Sequence, residues 1–404
     1  MKRYWLITLL MTLFPITAGA QYIKVCGDTN RTALYLNIDR VWNYNLYEHS
    51  RWGGGLRMTM AKRISFDGYL GYGTYDEQWK YGLAMNIRFR GPRQKSIYLS
   101  HIHDFFSVGS RHIDSPSADN TSLLGSFWSR RMIEQQRYVL GYRWRTPFAA
   151  WVLEAVWTES GRLFDDKELL YYNQGDVITS EGYWYGRLLM QHSSGLRLLA
   201  ELGDWSSDGP VVARLLADYR KGFRLPTTNL QLYLQGGITP PSTDYEHMFD
   251  LGGLWGSPLY LRNNLMTARA NEFTANAFSL LSLRLYTAKP LYKIYNSLFV
   301  VGSNPVPFVG LTAVWGTLWR QDNQGQCLWT DIHLQAPYKG LFELIVGVDG
   351  LIRWGLVDWG VAAAYRITPS SAAYHFSAVS DNLAFLVTAT LHLETNKITY
   401  IRLR

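Results

Sequence analysis

Few residues in this sequence have the types and spacing that chemistry requires. His192, Ser193 and Ser194 stand side by side, and a histidine base beside a serine is the smallest pair that could support a phospholipase-like nucleophile. The pair fails on direction, because neighbours on a strand point to opposite faces and Ser193-Ser194-Gly195 reads as a turn. His101 and His103 share one face of a strand and would need a third ligand, Asp104 or His112, to hold a metal. Asp104 points the other way. Asp165, Asp166, Glu168 and Asp176 supply oxygen ligands but not the spacing of a calcium loop. Gly53-Gly54-Gly55 follows no strand and opens no helix, so it is a cluster of sheet glycines and not a phosphate cradle. The sequence thus predicts no catalytic residue, no metal site and no cofactor, and the chain is not expected to be an enzyme.

Strands must position whatever function there is. From Trp79 to Arg90, Trp79, Tyr81, Leu83, Met85, Ile87 and Phe89 fall on one face, and Lys80, Gly82, Ala84, Asn86, Arg88 and Arg90 on the other. A helix would mix the two sets. The same rhythm recurs at Leu230 to Gln235, Val357 to Ala364 and Leu383 to His392. It predicts strands near 33–44, 53–62, 64–74, 79–90, 96–105, 137–146, 148–158, 182–193, 195–204, 210–219, 228–237, 276–288, 306–320, 338–350, 355–366 and 383–394, about sixteen with an uncertainty of two. Connections alternate in length: short at Arg63, Thr146-Pro147 and Ser194, long at 106–136, 159–181, 238–275, 321–337 and 367–382. That is the pattern of a transmembrane barrel with short periplasmic turns and long external loops. The short series is broken at 289–305, where Leu291 to Val301 reads as a short amphipathic helix or an interfacial segment.

The ends and the composition agree with export. Lys2 and Arg3, an apolar run from Tyr4 to Phe14 and the small residues Ala18 and Ala20 form a signal peptide over residues 1–20, which leaves one barrel domain over 21–404. No later stretch has the roughly 18 to 20 apolar residues of a spanning helix. The 16 Trp and 27 Tyr suit interfacial belts. The net charge of +8 is scattered singly, which excludes nucleic acid and favours anionic lipid, including the glycolipid of an outer membrane. The two cysteines, Cys26 and Cys327, are too few for a disulfide scaffold.

Charge cannot face lipid near the midplane without costing roughly 2–4 kcal/mol for Arg or Lys. Lys80, Arg88, Arg197, Glu201, Arg214, Asp218, Arg284, Asp358 and Arg366 are therefore predicted to line the lumen, where their mixed signs suit ion-pair networks around a loop plug.

Leu70 to Gly82 resembles the YG-x-x-D-x-x-W-K-Y-G stretch of an uncharacterised outer-membrane family whose members carry a carboxypeptidase-regulatory-like domain before a C-terminal barrel. Asn271 to Asn276 and Tyr338 to Arg366, with Glu343, Gly347 and Asp358 in a paired hairpin, extend the match. That family is similar in its barrel to the BamA/TamA/FhaC superfamily, which implies sixteen strands and an inward-folded loop, here 238–275. The resemblance also implies loop-plug contacts through Arg262, Arg269 and Glu272. Departures are the missing Gly and aromatic after Arg262, the lack of an acidic residue in Val306 to Trp319, and a C-terminus that ends Ile401-Arg402-Leu403-Arg404. Residues 21–32 are too few for a regulatory-like or substrate-capturing domain. The expected function is an integral outer-membrane barrel of a Gram-negative bacterium, in transport, export or assembly with a separate periplasmic or surface protein partner. The alternatives are a simple diffusion porin and a non-transporting scaffold that presents loops 106–136 and 159–181.

Overall fold

The computed structural model describes residues 22–28, 31–37, 40–45, 48–91, 94–107, 109, 111, 113, 131–165, 180–204, 212–241, 247–252, 265–268, 273–296, 301–319, 336–354, 357–367 and 382–391. A first arm comprises β1 (Tyr22–Gly27), β2 (Thr32–Asn37) and the short β3 (Trp42–Asn45). Long strands follow: β4 (His49–Met60), β5 (Ile64–Gly73), β6 (Trp79–Arg88), β7 (Ser96–Ser107), β8 (Arg131–Arg145) and β9 (Ala149–Asp165). The next are β10 (Ser180–His192), β11 (Leu196–Asp204), β12 (Val212–Arg224) and β13 (Thr228–Ile238). After two-residue β14 (Phe249–Asp250) and β15 (Thr274–Ala275) come β16 (Ala277–Thr287), β17 (Ile294–Asn296), β18 (Val301–Ser303) and β19 (Val306–Thr317). The last are β20 (Leu341–Trp354), β21 (Val357–Arg366) and β22 (Leu383–Leu391).

Among the described residues, β2, β4 to β13, β16 and β19 to β22 form one antiparallel meander of sixteen strands, each paired with the next. These are the sixteen segments expected from the two-residue rhythm. The chain is an all-β antiparallel barrel sheet. β1 lies on the free side of β2, antiparallel to it, and so runs in the same direction as β22 at the other end of the sheet.

The two faces of this sheet invert the rule of a water-soluble protein. On β6, Trp79 is 55% and Leu83 62% exposed, whereas Lys80 between them is 0% exposed. Leu140, Leu153, Leu202, Leu215 and Phe385 are exposed on other strands, while Glu154, Arg187, Glu343 and Arg366 are buried. Side chains alternate along a strand, so greasy outer positions and polar inner ones demand an apolar medium outside. Aromatic rings mark its limits. Tyr138, Trp157 and Trp184 face one another across β8, β9 and β10, with centroids 5.3 and 6.3 Å apart, and Trp144 stacks on Trp151 at 6.0 Å nearer the opposite ends of β8 and β9. Leu140 and Leu153 lie between the two rows, which is the arrangement of rings that flank a hydrocarbon band.

Beyond the added β1 and the short β14–β15 pair, the 289–305 connection differs from expectation. Leu291 to Val301 contains no helix among its described residues: β17 and β18 pair antiparallel, Ile294 opposite Ser303 and Asn296 opposite Val301. The cause is tertiary. β20 continues to Trp354, past Asp349, the last residue that β19 reaches, and β18 pairs with Arg353 and Trp354 on that overhang. An unpaired sheet edge is a template for any extended segment, and here it draws residues 301–303, and with them 294–296, into the sheet.

Candidate functional site

The most distinctive construction lies on the inner face, where part of the 238–275 connection is fastened to the wall. Glu343, on β20, is 0% exposed. Its carboxylate accepts from the Met266 N–H at 2.8 and 3.0 Å, from the Thr267 N–H at 2.6 Å and from the Thr267 hydroxyl at 2.7 Å. Arg366, opposite Glu343 on β21, donates to the Thr267 carbonyl at 2.6 Å and to its hydroxyl at 3.2 Å. One threonine is thus gripped by an acid and a base from neighbouring strands. Arg284 on β16 adds its charge near Glu343, across Gly310 of β19, where a Cβ would meet Arg284 Cδ at 2.6 Å. Hydrogen bonds to ionised groups are about twice as strong as neutral ones, and each polar group here is removed from water.

The base of the loop is closed by Asn276. Its side-chain N–H donates to the Pro240 carbonyl at 3.2 Å, and its side-chain oxygen accepts from the Trp319 N–H at 2.9 Å. Between these clamps Phe249, Leu251, Leu265 and Phe273 pack with Leu199, Leu216, Phe278 and Leu341 of the wall in a buried cluster. A second connection joins them. The Asp250 N–H donates to the Gly109 carbonyl at 2.9 Å, Gln235 donates to the Arg111 carbonyl at 2.6 Å, and Ile113 belongs to the same cluster. The described parts of two connections thus pack side chains against the inner face and against each other.

A row of alternating charge crosses the wall beside these loop residues. Glu154 on β9, Arg187 on β10, Glu201 on β11 and Arg214 on β12 are successive register partners. Arg187 lies 3.7 Å from Glu154 and 3.0 Å from Glu201, and Arg214 lies 3.6 Å from Glu201. The row ends at Tyr98 of β7, whose hydroxyl donates to Glu154 over Gly141 of the intervening β8. A Cβ on Gly141 would sit 2.1 Å from the Tyr98 ring. The same device recurs where Tyr69 of β5 lies over Gly82 of β6 and donates to Asp104 of β7 at 2.7 Å. Gly141→Ala should displace the Tyr98 ring at a cost of about 1–3 kcal/mol. Urea titration of the barrel refolded in detergent reads this as a lower midpoint, and an unchanged midpoint would refute the close approach.

Of the nine charges expected in the lumen, Lys80, Arg197, Glu201, Asp218, Arg284, Asp358 and Arg366 are buried, and the Arg214 side chain is 9% exposed. Lys80 meets Glu134 at 2.7 Å and Asp76 at 3.3 Å, and Arg197 pairs with Asp218. Arg88 is exposed at the end of β6. Arg262, Arg269 and Glu272 fall outside the described residues, as do His112, Cys327 and residues 1–20. β19, where the resemblance implies an acidic partner for the loop, has none; the acid stands one strand later, at Glu343, and it binds loop backbone and a threonine. Its position on the polar face of β20 was the available signal, as it was for Glu154 and Arg187 on their own strands.

The remaining chemical candidates have local roles. His192 Nδ1 accepts from the Ser194 N–H at 3.1 Å and contacts the Ser194 hydroxyl at 2.8 Å, a turn contact. His101 stacks on Tyr138 with centroids 4.1 Å apart, and His103 is 3.0 Å from Glu134. Asp104 is held by Arg51 at 2.5 Å. Cys26 is free and exposed.

No protein-family model matches the chain, and no characterised protein matches it by sequence. Solved structures do. The chain is similar to CdiB from Acinetobacter baumannii, with 8% identity and a TM-score of 0.41 over 88% of this chain and 57% of that one. It is similar to BamA from Haemophilus ducreyi lacking POTRA domains 1–3, with 10% identity and a TM-score of 0.49 over 95% of this chain and 78% of that one. CdiB from Escherichia coli gives 14% identity and a TM-score of 0.43 over 92% of this chain and 67% of that one. The chain thus spans well under two thirds of the first of these.

Proposed function

We propose that this chain is a plugged β-barrel of the outer membrane of a Gram-negative bacterium, acting in transport, export or assembly there with a separate protein partner. The loop fastened to the inner face carries this reading. A diffusion pore needs an open aqueous lumen, whereas here Glu343, Arg366 and a buried apolar cluster hold a loop inside the wall. A plug fixed at a few charged points and otherwise packed is suited to conditional release, which is what export or assembly with a partner requires and what passive diffusion does not. Contact with outer-membrane lipid, including anionic glycolipid on the outer side, and removal of residues 1–20 as a signal peptide belong to the same reading.

Planar-bilayer recordings test the plug. The intact protein should be mostly silent, and deletion of residues 240–270 should give large, stable conductance. Steady conductance from the intact protein would favour a diffusion pore. Affinity purification from outer membranes tests the partner, and recovery of the barrel alone would count against it.

The lipid-facing wall has its own test. Leu83→Arg places a cation on the exposed face of β6 and should cost about 2–4 kcal/mol if that face meets hydrocarbon. Refolding into lipid vesicles under urea measures the loss. A variant as stable as the parent would remove β6 from the membrane.

A further inference from the structure

The connection between β16 and β19 lies at the end of the barrel that carries the tight turns at 61–63, 146–148 and 193–195, yet it is much longer than they are. Its described residues are tied to the sheet and to each other. The Leu291 N–H donates to the Pro305 carbonyl at 2.9 Å and the Asn304 N–H to the Gly350 carbonyl at 2.8 Å. The Ser303 hydroxyl donates to the Leu351 carbonyl at 2.6 Å. Despite these ties, Leu291 is 66%, Ile294 58% and Tyr292 49% exposed, and Lys289 and Lys293 beside them are exposed too. Apolar side chains held outward by a paired backbone are placed, because the same ties could have turned them inward.

We infer that the 289–296 segment is an interfacial foot that seats in the headgroup and acyl boundary of the periplasmic leaflet and is attracted there by anionic phospholipid. Two observations select this occupant. The first is continuity: Ile294 lies in register with Ser303 on β18, and the sheet runs on through β20, whose Leu344, Val346 and Ile352 are exposed on the barrel's outer face. The foot is thus the downward extension of the lipid-facing wall. The second is charge: Lys289 and Lys293 are interleaved with the exposed Leu291, Tyr292 and Ile294, and lysine at the edge of an apolar face suits an anionic surface. A foot at this corner would fix the depth of the β16–β20 wall, which carries Glu343 and its grip on the loop. The inference rests on the outer-membrane reading.

The test uses the full mature chain with Cys26→Ser and Cys327→Ser, reconstituted in phosphatidylethanolamine and phosphatidylglycerol vesicles. Nitroxide labels are placed singly at Leu291→Cys and Ile294→Cys, with Leu83→Cys as the lipid-facing control. Collision rates with oxygen and with an aqueous nickel chelate give depth. Labels at 291 and 294 should be oxygen-rich and nickel-poor, like the label at 83. Replacing phosphatidylglycerol with phosphatidylcholine should shift them toward water, and Lys289→Gln with Lys293→Gln should abolish that lipid dependence. If 83 is lipid-exposed while 291 and 294 meet nickel freely, the foot is refuted. The same result in vesicles with protection in native outer membranes would assign the face to a protein and also refute it. If 83 itself reports water, the membrane reading fails first.

Discussion

Glu343→Ala should turn a silent barrel into one that opens. The carboxylate accepts from two backbone N–H groups and a hydroxyl of the loop, and its neighbour Arg366 grips the same threonine. Removing the acid leaves those buried donors without their acceptor and Arg366 without the adjacent charge. Breaking one side of a buried charged arrangement costs roughly 3–5 kcal/mol, which is about two to four orders of magnitude in the ratio of docked to released loop. The apolar cluster around Phe249 and Leu251 still favours docking, so the expected record is frequent discrete openings and not a permanently open pore. Glu343→Gln keeps the shape and loses the charge, and should fall between. Arg366→Met should open the barrel as well, and the double variant should cost less than the sum, because the two residues hold one threonine. Bilayer recordings that stay as quiet as the parent for both single variants would remove this anchor from the account.

Arg187→Met should produce the largest loss of stability in the wall itself. Arg187 stands between Glu154 and Glu201 in one cross-strand row, and both carboxylates are buried. Without the guanidinium, Glu154 retains the Tyr98 hydroxyl and Glu201 retains Arg214, but the cation they share is gone. The cost is again about 3–5 kcal/mol, read as a lower urea midpoint and loss of the compact, heat-modifiable band on gels. Adding Glu154→Gln removes one of the two stranded charges and should recover part of that loss. No recovery would mean that the arginine acts by packing alone.

The architecture was largely legible from residues such as Trp79 to Arg88. Their alternation fixes a strand, and the exposure of Leu83 beside the burial of Lys80 follows from the same rhythm. The 289–305 segment was not legible, because it is a strand pair only where β20 outruns β19 and offers an edge. Local propensity does not contain that overhang. The anchor was half legible: Glu343 was visible as a polar residue within a hairpin, but its partner lies in a loop 76 residues earlier.

By itself the sequence determined the sixteen long segments of the meander, the face most of their side chains take and which connections between them are long, since these follow from period-two alternation between two solvents and the turn residues that interrupt it. Only the tertiary structure decided which inner residues meet. Tyr98 reaches Glu154 because β7, β8 and β9 align and Gly141 leaves room, and Thr267 meets Glu343 and Arg366 because a connection folds back inside the wall. Such contacts depend on register across several strands and on where a long loop comes to rest, quantities that no single strand encodes.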